Sequence, residues 1–283
     1  MVDFIPQERA TPIRYPSTAN LMLDSKDRPS PLTTSPFDFA ITKTYSLMNG
    51  YFTRIGTTEV VLEWCVNNIS AALGNLSFSI TDNNNTVHTI TLTGGAYTVA
   101  EAMDEIVALL NGLNLAGYNW ESTLAGGRPI LGGGGTNDFT VLPPTKLSVQ
   151  LGFDPLNQVP EISQELYCPD LRPYRYIDFV SPQLTYNQDV KDSSTAPFVR
   201  DVLCRWYFAD DVPPERDALG LPILMGYTSF CRRRLYNPPK QIKWSSNQPL
   251  GNLTFQVYGD DGNIITDFEP QTNWLMTLQF SEV

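Results

Sequence analysis

The 283-residue sequence holds a single histidine, His88, and any Ser-His-Asp or Cys-His relay working near neutral pH would have to run through it. His88 is in phase with Ile90 and Leu92, which is the setting of a strand histidine paired with its neighbours. No Gly-x-Ser-x-Gly elbow supplies a nucleophile. Cys65, Cys168, Cys204 and Cys231 lie far apart without Cys-x-x-Cys spacing, so zinc is not indicated and they read as reduced, mostly buried thiols. A glycosidase needs only two acids facing each other across a cleft. Asp210-Asp211 and Asp260-Asp261 instead fall in turn-like stretches, where carboxylates cap backbone amides. The stretch Asp260-Asp261-Gly262-Asn263 also lacks the spacing and distal Glu of a calcium loop. Gly132-Gly133-Gly134-Gly135 is followed by a strand-like segment and no Lys-Ser or Lys-Thr, so it reads as a flexible loop rather than a phosphate cradle. The expectation is no enzyme, no cofactor and no metal.

Binding chemistry is better represented. Arg232, Arg233 and Arg234 form the one basic cluster. Neighbours on a strand point to opposite faces, so only Arg232 and Arg234 share a side. They would bind an acidic surface or nucleic acid, or discourage pairing at a sheet edge. A net charge of -11 argues against nucleic acid wrapped over a general basic surface, and no specific nucleic-acid sequence is expected as a partner. Tyr174, Tyr176 and Tyr207 are aromatics of the kind that stack on sugars or fill a subunit interface, with core packing the default for any single one.

The elements that must position these residues are mostly strands. Charged residues make up only 17%, beside 22 Pro and 19 Gly, a balance that suits strands joined by turns. Phe37, Phe39 and Ile41 alternate with polar residues, as do Val60, Leu62, Trp64 and Val66. Leu76, Phe78 and Ile80, then His88, Ile90 and Leu92, make a hairpin turned by Asp82-Asn83-Asn84-Asn85. Leu253, Phe255 and Val257, then Trp274, Met276, Leu278 and Phe280, are the last two strands. One helix interrupts them, over about residues 98–113: Val99, Ala102, Met103, Ile106, Leu109, Leu110 and Leu113 line one face. Thr98 and Glu101 form a capping box in which each side chain satisfies a backbone donor of the other.

Residues 1–36 read as an extended arm with apolar anchors Tyr15, Leu21, Met22 and Leu23, ordered on a neighbouring subunit. The stretches from Tyr186 to Pro197 and from Ala209 to Pro222 read as loops. The start lacks a basic stretch followed by an apolar run and no membrane span is evident, so a reducing compartment is expected. The glycosylation patterns at Asn68, Asn75 and Asn252 then read as accidental.

The order of features resembles the penton and minor capsid proteins of double-stranded DNA viruses with double jelly-roll major capsids, the lineage of virophages, Polinton-like viruses and giant viruses. The residues that carry the resemblance are Ser25-Lys-Asp-Arg28, Ser35-Pro-Phe-Asp38-Phe39, Val66-Asn-Asn68, Gly95-Ala-Tyr97-Thr98, Leu151-Gly152-Phe153 and the run from Leu253 to Asp261-Gly262. The order and spacing of these motifs carry the likeness.

The resemblance implies an all-β jelly-roll β-sandwich with one flanking helix, acting as a viral structural protein. It implies a homopentamer at an icosahedral vertex of the virion, in contact with the major capsid protein and other minor capsid proteins, assembled inside the host cell. It supplies no catalytic residues. Asp38, Phe39, Gly95, Tyr97, Thr98, Glu101, Gly152, Phe153, Asp261 and Gly262 enter as structural positions. Arg9, Arg14, Tyr15, Arg28, Arg232, Arg233 and Arg234 enter as interface residues. The expected layout is an arm over 1–36, the first part of the jelly-roll with its helix over 37–165, an inserted or outer β region over 166–246, and closing strands over 247–283. The alternatives are a minor capsid protein at another position, a host-attachment module binding a glycan or receptor through loops around Tyr186 and Asp210, and a carboxylate glycosidase.

Overall fold

The computed structural model describes residues 18–31, 34–42, 52–125, 128–135, 137–153, 162–164, 169–185, 202–208, 215–216, 222–223, 230–243 and 251–282. The chain opens with β1 (Thr18–Asp24), a 3-10 turn at Ser25–Asp27, β2 (Asp38–Thr42) and the long β3 (Arg54–Trp64). There follow β4 (Ser77–Thr81), β5 (Val87–Thr91), α1 (Val99–Gly112), β6 (Glu121–Ala125), β7 (Arg128–Gly132), α2 (Lys146–Gln150) and β8 (Ile162–Gln164). The rest comprises β9 (Tyr176–Val180), α3 (Pro182–Thr185), β10 (Val202–Tyr207), the short pair β11 (Glu215–Arg216) and β12 (Pro222–Ile223), β13 (Phe230–Leu235), β14 (Ile242–Lys243), β15 (Asn252–Gly259) and β16 (Asn273–Ser281).

Two antiparallel sheets form a jelly-roll sandwich. One runs β1-β16-β3-β13, with β14 also on β3, and the other runs β10-β9-β15-β2. β2, β15 and most of β16 bury alternate residues, as the sequence pattern requires, whereas β9 buries four residues in a row. Val60, Leu62, Trp64, Trp274, Met276, Leu278 and Phe280 face inward from the first sheet, and Phe39, Ile41, Phe179, Leu253, Phe255 and Val257 from the second. Trp274 sits where the sheets meet, its ring 5.6 Å from Phe39, 5.4 Å from Phe179 and 5.5 Å from Phe255. Its indole Nε1 donates to the Pro36 carbonyl at 2.7 Å, so a large ring is buried with its polar atom satisfied.

Two expectations about layout change. Part of the expected arm is sheet: β1 pairs with β16 along its whole length, Thr18 opposite Ser281 through Asp24 opposite Leu275. Leu23 is buried and Leu21 packs on the core, which anchors the strand to its own subunit. Secondly, β9, β10 and β13 all fall within 166–246 yet are integral to the sandwich, because β9 pairs with β15 and β10, and β13 pairs with β3. The segment that stands apart is the earlier one. From Ile69 to Leu171 the buried side chains form a second hydrophobic core of their own, built from the β4-β5 hairpin, α1, Trp120, Phe139, α2 and Phe153. The helix α1 packs on β5, β6 and β7, all of this second unit.

Buried polar groups tie this unit to the strand that leads into it. Asn68 donates from Nδ2 to the Tyr97 carbonyl at 2.7 Å and accepts from the Tyr97 amide at 2.8 Å. Asn75 Nδ2 donates to the Asn68 carbonyl and to Gln150 Oε1, both at 2.8 Å. Both asparagines are fully buried, which keeps them from any glycosylating enzyme in the folded state.

Two outcomes follow. Replacing Arg28 by Met would remove every partner that its guanidinium gives to Ser25, Pro31, Thr34 and Asn273, and urea unfolding should show a loss of about 3 kcal/mol. The Glu101 carboxyl is held below its ordinary value by the Thr98 backbone amide and then the Thr98 hydroxyl. A folded-state value lowered in this way gives stability that is complete above the unfolded carboxylate range and is lost as pH falls through the folded value. The melting-temperature gap between the native chain and Glu101→Gln should therefore be widest near pH 7 and close in acid; a gap independent of pH would contradict the charged cap.

Candidate interaction surface

The side chains with the most recognition chemistry gather where the last strands of the two sheets, β13 and β10, come together. On β9 the inward residues Ile177 and Phe179 leave Tyr176 and Asp178 on the outer face, and on β10 Trp206 points inward while Arg205 and Tyr207 point out. Register sets Arg205 opposite Asp178 and Tyr207 opposite Tyr176. The Arg205 guanidinium clasps the buried Asp178 carboxylate in two-pronged fashion, Nε to Oδ1 at 2.7 Å and Nη2 to Oδ2 at 3.0 Å. That bond, more than any other influence, holds the Arg205 guanidinium above its usual proton affinity. The same guanidinium lies 4.0 Å above the Tyr176 ring.

The arginine cluster divides as strand geometry requires. Arg232 and Arg234 stand opposite Leu62 and Val60, both core-facing, whereas Arg233 stands opposite Val61 on the outer side and bonds to Glu59. Arg234 reaches across the edge: its Nη1 donates to the Tyr207 carbonyl at 3.4 Å and its guanidinium lies 5.9 Å from the Trp206 ring. The Tyr236 hydroxyl donates to the Arg205 carbonyl at 3.0 Å, and Lys240 Nζ to the Val202 carbonyl at 3.1 Å. Side chains of the first sheet thus occupy carbonyls along β10, and inward arginines on β13 oppose the docking of a further strand.

Other expected interface residues lie elsewhere. Arg28 is buried, a correction to its assignment as a contact residue. Its Nη1 donates to the Ser25 carbonyl at 2.6 Å and Asn273 Oδ1 at 2.9 Å, Nε to the Thr34 carbonyl at 2.8 Å, and Nη2 to the Pro31 carbonyl at 2.8 Å. Desolvation lowers the affinity of its guanidinium for a proton. Tyr174 is also buried, edge-on to Trp64, so it offers no exposed ring. Arg9, Arg14, Tyr15, Cys168 and the loops around Tyr186 and Asp210 lie outside the described residues. Cys204 is buried and its thiol is pushed up to about 12 by desolvation. Cys65 is buried too and Cys231 is exposed, so the described thiols are mostly buried, as expected.

The expected structural positions do separate jobs. Asp38 starts β2 beside Gln256, and Phe39 packs on Phe255 at 5.8 Å. The Gly95 carbonyl accepts from Asn68 and Ile69 amides at 3.1 Å each. Tyr97 donates to the Thr93 carbonyl and to Glu105, and burial followed by the Glu105 bond pushes its hydroxyl up to about 12. Thr98 and Glu101 form the capping box of α1. Gly152, at φ 90°, ends α2: its amide donates to Val149 and that of Phe153 to Ser148, and Phe153 packs 5.7 Å from Phe78. Gly262, at φ 92°, turns the chain between β15 and β16 while Asp261 Oδ1 accepts from the Asn263 amide at 3.0 Å.

Among the described residues, His88, Asp82 and Asp260 make structural contacts. His88 Nε2 lies 3.0 Å from Asp82 Oδ2, and Asp82 also accepts amides of the hairpin turn, from Asn84 at 2.9 Å and Thr86 at 2.8 Å. Asp260 Oδ2 accepts from the Arg175 amide at 3.2 Å. The partnership that sequence reading missed is Arg205 with Asp178. Only the equal spacing of Tyr176-x-Asp178 and Arg205-x-Tyr207 hinted at it.

Truncating Arg205 to Ala should strand the Asp178 carboxylate in a buried position and cost about 3 kcal/mol. Adding Asp178→Ala should recover most of that loss in chemical denaturation, and a double variant as unstable as the sum of the two single ones would show the pair to be uncoupled.

No protein-family model matches this sequence, and no curated protein matches it significantly. Among solved structures, the crystal structure of the mavirus penton protein aligns with 95% of this chain and 100% of its own, at a TM-score of 0.55 and 10% sequence identity. A chain in the cryo-EM structure of the Sputnik virophage aligns over 93% of this chain and 97% of its own at 13% identity, with a TM-score of 0.49, short of the level that identifies a shared fold. The first alignment shows that this chain has the fold of the mavirus penton protein.

Proposed function

We propose that this chain is a structural protein of a virion: the penton, five copies of which close an icosahedral vertex of the capsid against the major capsid protein and other minor capsid proteins. The observation that carries this reading is the alignment of nearly the whole chain with the whole of a protein named for that position in mavirus. The ordered series of motifs from Ser25 to Gly262 supports the same reading independently of coordinates.

The physics of the surface agrees with such a role. A shell subunit must be rigid and must meet its neighbours over preformed faces, because ordering flexible groups on contact weakens association. Here the aromatic and arginine side chains at the β10 and β13 edge are already held by Asp178 and by backbone carbonyls. Assembly inside the host cell and residence in the virion follow from the role, and no cofactor enters it.

Purified protein should give rings with fivefold symmetry in electron micrographs and a sedimenting species of five chains. Only monomers or twofold dimers at every concentration tried, both alone and with the major capsid protein, would rule out the penton reading.

A further inference from the structure

The two sheets leave the sandwich with two lateral edges. Arg234 and Tyr236 bond to carbonyls of β10, so β13, with β14 beside it, and β10 form one edge. The strands at the other end of each sheet, β1 and β2, form the opposite edge, where Arg28 bonds the turn after β1 to the Thr34 carbonyl just before β2. The edges differ in charge. Arg232, Arg234, Lys240 and Lys243 lie on the first, together with Arg233, which is held by Glu59, in a chain whose net charge is -11. Asp24, Asp27 and Asp38 lie on the second, where Arg28 is buried and Lys26 is held by Glu63 at 3.0 Å.

Exposed apolar side chains follow the same division. Among the described residues of the sandwich, the large hydrophobic side chains left in solvent are Met22, 67% exposed on β1, and Tyr207 and Leu235, 42% and 63% exposed on β10 and β13. All three sit on strands at the sheet ends: Met22 and Leu235 point outward from the same sheet, in register with Thr277 and Glu59, and Tyr207 from the other. Apolar anchors within rims of opposite charge are what two surfaces need in order to recognise each other, the charges setting orientation and the anchors holding the contact.

We propose that the basic edge of β10, β13 and β14 of one subunit receives the acidic edge of β1 and β2 of a second copy of this chain, Leu235 meeting Met22. The two patches are different and lie on opposite sides of the sandwich. The contact is therefore heterologous: each subunit keeps one edge open after binding, and repetition closes a ring instead of stopping at a pair. This rests on the homo-oligomeric reading above and adds to it which surfaces join.

Met22→Asp and Leu235→Asp place a charge at exposed positions, so each variant should melt as the native chain does. In sedimentation of the full-length protein, each variant alone should dissociate at a concentration ~10-fold or more above that of the native assembly, and raised salt should loosen the native assembly further. An equimolar mixture of the two variants is the decisive sample. Each retains one intact edge of opposite kind, so the mixture should form a heterodimer and go no further. If both variants assemble like the native chain, the edges are not the contact, although the oligomer reading stands. If each is monomeric and the mixture forms no heterodimer, the contact is not head-to-tail. A native chain that never self-associates would remove this proposal together with the reading beneath it.

Discussion

The meeting of the two sheets at Trp274 is the constraint on which the rest of the structure depends. Its ring touches Phe39, Phe179 and Phe255 of the facing sheet, its Nε1 is spent on the Pro36 carbonyl, and its backbone amide donates to Ser25 Oγ at 2.8 Å. Bonding both donors spares this buried residue the cost of an unpaired polar group. This fixes the path of the chain from Ser25 to Phe39. Arg28 completes the arrangement by giving its donors to carbonyls of that path and to Asn273, next to Trp274. Ser25, Arg28, Pro36 and Phe37, which lie between β1 and β2, are thereby buried.

Once the interior is closed, chemistry at the surface is a matter of edges. An antiparallel sandwich ends each sheet in a strand whose backbone could pair with any passing chain. At β10 and β13 the protein meets this hazard with side chains, and the same side chains give the edge its basic, aromatic character. Guarding an edge and recognising a neighbour are therefore compatible tasks for Arg234 and Tyr236: the guard excludes extended backbone while leaving a shaped surface of rings and guanidinium groups.

Much of this was legible in the sequence because it is local. The inward faces of β2, β3, β15 and β16 match the alternation of Phe39, Val60, Phe255 and Trp274, and the Thr98 and Glu101 box marks the start of α1. Short elements escaped. The five-residue α2 is too brief to show a periodic face, although Thr145-x-x-Ser148 caps it and Leu151-Gly152-Phe153 ends it. Arg128-Pro-Ile-Leu131, flanked by glycines, becomes β7 because β6 and β8 pair with it on either side. Membership of a core is not local at all. Nothing in the spacing of Ile69, Phe78, Ile106 and Leu171 distinguishes them from residues of the sandwich, so the second core was invisible until the pairings were known. The burial of Arg28 was hidden for the same reason, since Asn273 is 245 residues away.

The order of the strands also has a bearing on how the molecule is made. The unit from Ile69 to Leu171 draws its core from one continuous stretch, so it can consolidate as soon as that stretch clears the ribosome. The sandwich has no such freedom. Its central strands β15 and β16, one in each sheet, come from residues 252–281, and until they are synthesised β1 has no neighbour and β2 and β9 have nothing between them. The edges of the sandwich therefore take their final form only once residues 252–281 have been synthesised.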